Sequence, residues 1–257
     1  MKVVILAGGL GTRMSEETSL KPKPMVEIGG RPLLWHIMKL YSFHGFNDFV
    51  ILVGYKGYYI KEYFYHYYLH NSDVRIDVSN GDIEYLGSRA EPWKITLVDT
   101  GLHTMTGARI NKARHLLEAD PFMLTYGDGL ADIDICRLVS YHQSHGKLAT
   151  VTSSQIEGRF GALETLESGL VKSFSEKPRG EQGWINAGFF VFNPGVFHYL
   201  QGGDDLVLEQ HPLKSMANDG ELMTYHHHGF WKPCDSLWDK KVLEKMWDSQ
   251  TAAWRIW

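Results

Sequence analysis

The chain opens with Lys2-Val3-Val4-Ile5-Leu6-Ala7-Gly8-Gly9-Leu10-Gly11-Thr12-Arg13 and soon continues with Lys21-Pro22-Lys23-Pro24-Met25. The apolar run is typical of a buried strand, and the glycines that follow it indicate a turn. Glycine lets the backbone approach a ligand closely and point its N–H groups at it. Arg13, Lys21 and Lys23 add positive charge behind the turn. These residues predict a first buried strand that ends in an anion site, most simply a site for a polyphosphate.

Two common phosphate motifs do not match this loop. A P-loop needs Gly-Lys-Ser/Thr, whereas Gly11 is followed by Thr12-Arg13. The dinucleotide fingerprint needs a third glycine at the position of Met14, and Pro22 and Pro24 disfavour an immediate long helix. A turn that merely ends the strand is the remaining alternative, and the nearby cations disfavour it.

Composition limits the classes of protein that need to be considered. The chain has 257 residues, 44% of them hydrophobic and 22% charged, with a net charge of −4. These values are ordinary for a globular protein of one large domain, or of one domain with a small appendage. No basic segment suggests nucleic acid as a partner, and no apolar run is long enough for a signal peptide or a membrane span, so we expect a cytoplasmic protein. Cys136 and Cys234 are far apart, which indicates neither a zinc site nor a disulfide framework.

Strand patterns alternate with helix patterns along the chain, which predicts an α/β fold with a mostly parallel sheet flanked by helices. The principal predicted strands are 2–6, 49–53, 95–99, 122–126, 149–153 and 184–192; the predicted helices begin near Pro32 and also cover 58–70, 108–118, 134–145, 206–218 and 236–247. Ligands bind beyond the carboxyl ends of strands in such sheets. We therefore expect the loops after strands 2–6, 95–99 and 122–126 to meet at one site.

Several acidic residues are candidates for binding a divalent cation. Asp128 follows an apolar strand and lies between two glycines, a placement that suits a metal ligand beside phosphates, although it could also be a turn residue. Asp235 could equally be a ligand or the N-cap of the closing helix. Asp132-Ile133-Asp134 precedes a predicted helix, so we favour capping there. His226-His227-His228 has no acidic or cysteine partner at a metal-ligand spacing, and we disfavour a metal there.

The opening stretch, with its glycine loop and Lys-Pro-Lys-Pro-Met segment, resembles the signature of the sugar-1-phosphate nucleotidyltransferases. The resemblance extends to Asp235 and so covers nearly the whole chain. It implies a Rossmann-like fold of the nucleotide-diphospho-sugar transferase type in a single domain over residues 1–257. Residues 1–130 would mainly bind nucleotide. Residues 131–257 would mainly bind sugar phosphate and would contain a small β-rich part and the C-terminal helix.

The resemblance also implies a role for each matching residue. The loop from Leu6 to Thr12 would wrap the nucleoside triphosphate, Arg13 would hold the departing pyrophosphate, and Lys23 would contact phosphate oxygens near the reacting phosphorus. Lys177 would neutralise the attacking sugar phosphate, and Asp128 and Asp235 would bind Mg²⁺. The sugar would contact Gly161, Glu176 and Asn186, and the nucleotide would also contact Thr104, Arg109 and Gly127.

Residues 100–109 indicate which base is used. Thymidylyl- and uridylyltransferases carry a Gln in this region, whereas this chain has none and adds Arg109, as in the glucose-1-phosphate cytidylyltransferases, which it resembles. The resemblance implies that CTP and glucose 1-phosphate give CDP-glucose, a precursor for surface polysaccharide, and pyrophosphate. Donors such as Arg109 would suit the O2 and N3 acceptors of cytosine. A relative that uses UTP or dTTP and a non-catalytic regulatory homologue are the alternatives.

Two further expectations concern the reaction and the assembly. The attacking group is a phosphate oxygen that is already ionised at neutral pH, so positioning and charge neutralisation replace a general base or a covalent nucleophile. The family forms oligomers, often hexamers, so the resemblance implies a homo-oligomer, and the tyrosine-rich helix near residues 58–68 could supply an interface. One departure from the wider family is Met14-Ser15-Glu16, where many members have Leu-x-Pro after the Arg.

Overall fold

A computed structural model describes residues 1–155, 162–166, 168, 170–175 and 183–257. In this part of the chain the strands are β1 Lys2–Ala7, β2 Glu27–Ile28, β3 Arg31–Pro32, β4 Asp48–Val53, β5 Ser72–Asp77, β6 Asp82–Ser88, β7 Lys94–Asp99, β8 Phe122–Tyr126, β9 Gly129–Ala131, β10 Ala149–Ser154, β11 Ala162–Thr165, β12 Val171–Ser175, β13 Ile185–Phe192, β14 Leu222–His227 and β15 Trp231–Pro233. The α-helices are α1 Ser15–Thr18, α2 Leu33–Phe43, α3 Gly57–His70, α4 Thr106–Lys112, α5 Arg114–Leu117, α6 Ile135–His145, α7 His211–Asn218 and α8 Leu237–Asp248. Short 3₁₀ turns lie at Thr12–Met14, Lys23–Met25 and Pro194–His198.

The central sheet has the strand order β14-β10-β13-β8-β1-β4-β7. Strands β8, β1, β4 and β7 pair in parallel, and so do β10 and β14. Strand β13 is antiparallel to both of its neighbours, β8 and β10. The predicted mixed, mostly parallel sheet flanked by helices is therefore confirmed. Because β1, β4, β7 and β8 run in one direction, the loops after them leave the sheet at the same edge.

Both faces of β1 are buried, as its continuous apolar run predicts. Val3 and Ile5 belong to a core that also contains side chains of α2, α6 and α8, whereas Val4 and Leu6 belong to a second core with side chains of α4, α5 and α7. Burial on both faces is characteristic of a parallel strand between helical layers. Strand β1 thus lies at the centre of the fold, and the glycine loop is anchored to it.

Two predicted helices differ from the structure. The helix predicted over 108–118 is divided into α4 and α5, with Ala113 between them. The helix predicted over 206–218 begins only at His211. The carbonyls of Asp204 and Leu206 accept hydrogen bonds from Met105 N and Ala108 N, so this segment bonds to the start of α4 and the residue before it instead of starting a helix.

No helix among the described residues has the length and apolar character needed to cross a membrane. The division of the domain at residue 130 stays a prediction.

Candidate active site

A cavity of about 550 Å³ lies beyond the carboxyl ends of β1 and β8. Its walls come from the glycine loop, the loop between β7 and α4, the turn between β8 and β9, and the segment around β15. These walls include most of the predicted site residues in the described part of the chain: Leu6, Ala7, Gly8, Gly9, Gly11, Thr12, Lys23, Thr104, Arg109, Gly127, Asp128, Asn186 and Asp235. The predicted meeting of the three loops at one site is therefore confirmed. Leu10 is outside the lining and is 45% exposed.

The glycines of the loop serve different purposes. A Cβ on Gly8 would lie only 2.2 Å from Arg109 Nη1, so a side chain here would force the guanidinium group out of its present position. A Cβ on Gly9 would meet no atom within 4 Å, although Gly9 lines the cavity. Gly11 has a φ of +66°, which favours glycine. The open side at Gly9 is consistent with close approach of a ligand, whereas Gly8 leaves room for the guanidinium group of Arg109.

Lys23 lies between two carboxylates. Its Nζ donates to Asp128 Oδ2 at 2.6 Å and to Asp235 Oδ1 at 2.5 Å. The Lys23 side chain is 9% exposed, and the two carboxylates are 27% and 29% exposed. Burial lowers the pKa of Lys23, but the attraction and hydrogen bonds of Asp128 and Asp235 outweigh burial and raise the pKa above its usual value. Lys23 is therefore an ammonium ion at neutral pH.

A short pairing of strands brings Asp235 to Asp128. Strand β15 pairs antiparallel with β9, placing Pro233 opposite Gly129, and Cys234 N donates to Asp128 O at 2.9 Å. The N-cap of α8 is Ser236, whose side chain accepts from Asp239 N. The alternative in which Asp235 caps this helix is therefore wrong, and its carboxylate instead faces the cavity beside Lys23. By contrast, the capping interpretation holds for Asp134, which accepts from Arg137 N at the start of α6.

The two carboxylates suit a divalent cation. Asp128 and Asp235 direct one oxygen each at a single cation position, which the ammonium nitrogen of Lys23 fills as a stand-in. Carboxylate oxygens beside a phosphate site are the ligands that Mg²⁺ prefers in proteins. The residues present therefore fit the expected ion, provided that Lys23 gives up these contacts.

Arg109 is buried and bonds mainly to the protein. Its Nη2 donates to Gly8 O at 2.9 Å, and its Nη1 donates to Gly101 O at 2.8 Å. Nη1 also donates to Thr100 Oγ1 at 2.5 Å. The guanidinium group thus ties the glycine loop to the loop between β7 and α4. Both terminal nitrogens of Arg109 already have protein acceptors. A direct contact between Arg109 and a base stays a prediction.

Tyr126 and Glu209 form a network that the sequence pattern did not reveal. The hydroxyl of Tyr126 donates to Glu209 Oε1 and accepts from Asn186 Nδ2 at 3.3 Å. Thr106 Oγ1 donates to Glu209 Oε2 at 2.7 Å. Burial, followed by the negative charge of Glu209, raises the pKa of Tyr126 well above its usual value. Tyr126 could have been suspected because it directly precedes Gly127-Asp128, but no local signal marks Glu209.

Three predicted residues and one side chain cannot be placed. Gly161, Glu176 and Lys177 lie outside the described residues, as does the side chain of Arg13. Their roles stay predictions.

The structure disfavours a reactive cysteine or a histidine-bound metal near this site. Cys234 is fully buried, and burial raises the pKa of its thiol to about 12, so the thiol is protonated at neutral pH. His227 contacts Asp132 and Phe230 O, and His226 contacts Ser153 Oγ. Within the described ranges, His226, His227 and His228 belong to no cluster that could hold a metal.

Comparison with known proteins places the chain in a family. The model of the nucleotidyl transferase family matches residues 2–232. The chain is 53% identical to a glucose-1-phosphate cytidylyltransferase of Salmonella typhi and 48% identical to a probable glucose-1-phosphate cytidylyltransferase of Bacillus subtilis, covering all of both chains in each case. The crystal structure of HddC from Yersinia pseudotuberculosis has the same fold, with a TM-score of 0.70 and 22% identity over 96% of this chain and 99% of that one. The chain therefore belongs to the nucleotidyl transferase family, and these full-length relatives are a glucose-1-phosphate cytidylyltransferase and a probable glucose-1-phosphate cytidylyltransferase.

Proposed function

We propose that the protein joins CTP and glucose 1-phosphate to give CDP-glucose and pyrophosphate. The observation that carries the proposal is the cluster of Lys23, Asp128 and Asp235, which faces the glycine loop across one cavity. The 53% identity to a glucose-1-phosphate cytidylyltransferase over the full length of both chains supports the choice of these substrates.

The reaction needs positioning more than proton transfer. An ionised oxygen of glucose 1-phosphate attacks the α-phosphorus of CTP; the new O–P bond forms as the bond to the β-phosphate oxygen breaks, and pyrophosphate leaves with that electron pair. Strong repulsion between two anions opposes this step. The backbone of the glycine loop and the ammonium of Lys23 would hold the triphosphate, and Lys177 and Asn186 would hold the sugar phosphate.

Mg²⁺ is the expected cofactor. Asp128 and Asp235 would hold the ion, which would supply positive charge against the triphosphate oxygens. Lys23 would then release one or both carboxylates and become free to donate to a phosphate. Lys23 would therefore exchange its carboxylate partners for a phosphate when the cation and the substrate bind.

Assembly into a homo-oligomer, and a hexamer in particular, is a further part of the proposal. The exposed tyrosines of α3 support it, because Tyr58, Tyr65 and Tyr68 are 51–83% exposed on one helix. Extended exposed apolar surface is typical of an interface. Sedimentation of the full chain at micromolar concentration tests this idea, and a monomer under those conditions would contradict it.

Pyrophosphate release with glucose 1-phosphate and Mg²⁺ tests the proposed reaction, with CTP, UTP, dTTP, ATP and GTP supplied separately. We expect release mainly with CTP. Release mainly with UTP or dTTP would refute the base assignment but retain the reaction, whereas no release with any nucleotide would refute the activity on this sugar. Asp128→Asn should abolish release, and Asp134→Asn, which makes the same change at the N-cap of α6 outside the cavity lining, serves as the matched control.

A further inference from the structure

One carboxylate, that of Glu209, receives hydrogen bonds from both sides of the cavity. Thr106 begins α4, directly after the loop that contains Thr104 and leads to Arg109. Tyr126 ends β8 on the side where Asn186 lies. Glu209 Oε2 accepts from Thr106, and Glu209 Oε1 accepts from Tyr126. The nucleotide side and the sugar side are thus joined through a single residue.

The nucleotide side of this connection is fixed by several backbone bonds. Thr106 Oγ1 accepts from Leu208 N at 2.9 Å while it donates to Glu209. Met105 N donates to Asp204 O at 2.7 Å, and Ala108 N donates to Leu206 O at 3.1 Å. The segment from Asp204 to Glu209 therefore holds the end of the loop between β7 and α4 together with the first turn of α4. A shift of Glu209 would move this loop with it.

The sugar side of the connection is equally constrained. Gly188 has a φ of +80°, and a Cβ there would lie 2.3 Å from Tyr126 Cδ2, so the Tyr126 ring packs directly on the backbone of β13. Asn186 donates to the Tyr126 hydroxyl and accepts from Gly188 N at 2.8 Å. The orientation of the Asn186 amide is therefore set by Tyr126 and β13 together.

From these contacts we infer that Glu209 is a positioning residue that sets the distance between the nucleotide and the sugar phosphate. It lies behind Tyr126 and Thr106 and acts on both substrates through them. The inference rests on the proposed function. In a reaction that depends on in-line approach, a displacement of about 1 Å can cost on the order of a hundredfold in rate. A bridge between the two halves of the site therefore bears on how well each substrate is held, measured by its KM, and on the rate of turnover.

Kinetics of Glu209 variants test the inference, with pyrophosphate release measured against each substrate in turn. Glu209→Ala should raise the KM for both CTP and glucose 1-phosphate by about tenfold each, since it removes a hydrogen bond to a charged group on either side. Glu209→Gln should stay within about threefold of the wild type, because its amide can accept from Thr106 and donate to Tyr126. Asp205→Asn removes an exposed carboxylate from the same segment and should leave both KM values within about twofold. A Glu209→Ala effect confined to one substrate, or below about twofold on both, would overturn the inference.

A double-mutant cycle tests the same bridge without changing Glu209. Thr106→Val and Tyr126→Phe each cut one end of it, so the double variant should lose little more kcat/KM than the worse single variant. If the two hydrogen bonds acted independently, the fold losses in kcat/KM of the two single variants would multiply in the double variant. That result would refute the bridge. A wild-type protein that releases no pyrophosphate with any nucleotide would refute the proposed function itself, whereas wild-type turnover with independent ends would refute only the role of Glu209.

Discussion

Replacing Lys23 by Met should tighten the binding of a divalent cation while it slows turnover. Lys23 Nζ donates to Asp128 and Asp235 at 2.6 and 2.5 Å, and a cation entering between the carboxylates must displace it. Met has a similar length and no charge, so the variant removes the competing ammonium and leaves the two carboxylates in place.

The size of the effect follows from these two contacts. A hydrogen bond to a charged group contributes a net ~1.5–3 kcal/mol, and we take the lower value because the carboxylates are 27% and 29% exposed. Two such bonds give about 3 kcal/mol, which corresponds to roughly a hundredfold tighter binding. The same change should lower kcat by on the order of a hundredfold or more, because a charge near the reacting phosphate is lost.

Titration of the nucleotide-free protein with Mn²⁺, followed by the electron paramagnetic resonance of the free ion, measures the affinity directly. Lys21→Met is the matched control, since Lys21 pairs with the exposed Glu27 and should not change the affinity for Mn²⁺. Equal tightening in both variants would show an effect of net charge alone. Affinity that is unchanged or weaker in Lys23→Met would refute the displacement argument.

Three other perturbations have defined outcomes. Gly8→Ala should raise the KM for CTP at least about tenfold, because its Cβ would lie 2.2 Å from Arg109 Nη1 and push apart the two loops, and steady-state kinetics would detect this. Arg109→Met should lower the melting temperature measurably, since Gly8 O and Gly101 O each lose a hydrogen bond from the guanidinium group, and an unchanged melting temperature would contradict the linking role. Burial lowers the pKa of His36 to about 4, so the folded state favours the neutral ring, and the stability from this group is lost as pH falls from about 6.5 towards 4. That loss should reach about 3 kcal/mol in urea unfolding, and His36→Gln should lose correspondingly less between pH 7 and pH 4.

The central strands were predictable because their signals are local. The apolar runs at β1, β4 and β8 needed no knowledge of the rest of the chain, since a strand buried on both faces is continuously apolar. The segment 206–210 shows the limit of such signals. Its residues suit a helix, but Leu206 O accepts a hydrogen bond from Ala108 N in α4. The two bonded residues are about a hundred positions apart in sequence, so no local pattern reveals the contact.

The candidate site likewise has residues that local signals predicted and residues that only the fold could place. The glycine loop and Asp128 were found from residue type and from position after a strand, and the family resemblance supplied their roles. The resemblance also pointed to Asp235, which the sequence alone could not distinguish from a helix cap. In the structure Ser236 is the cap, because β15 pairs with β9 and turns the carboxylate of Asp235 to Lys23.

The sequence by itself determined the α/β class, the buried first strand and the placement of a phosphate loop and a carboxylate at strand ends. Periodicity, glycine turns and capping residues act over a few neighbours, so they can be recognised without the fold. Only the tertiary structure decided that Lys23 lies between Asp128 and Asp235, that Arg109 bonds to the glycine loop, and that Glu209 joins Thr106 to Tyr126. These contacts join residues up to 212 positions apart, and strand order and register, not local propensity, bring such residues together.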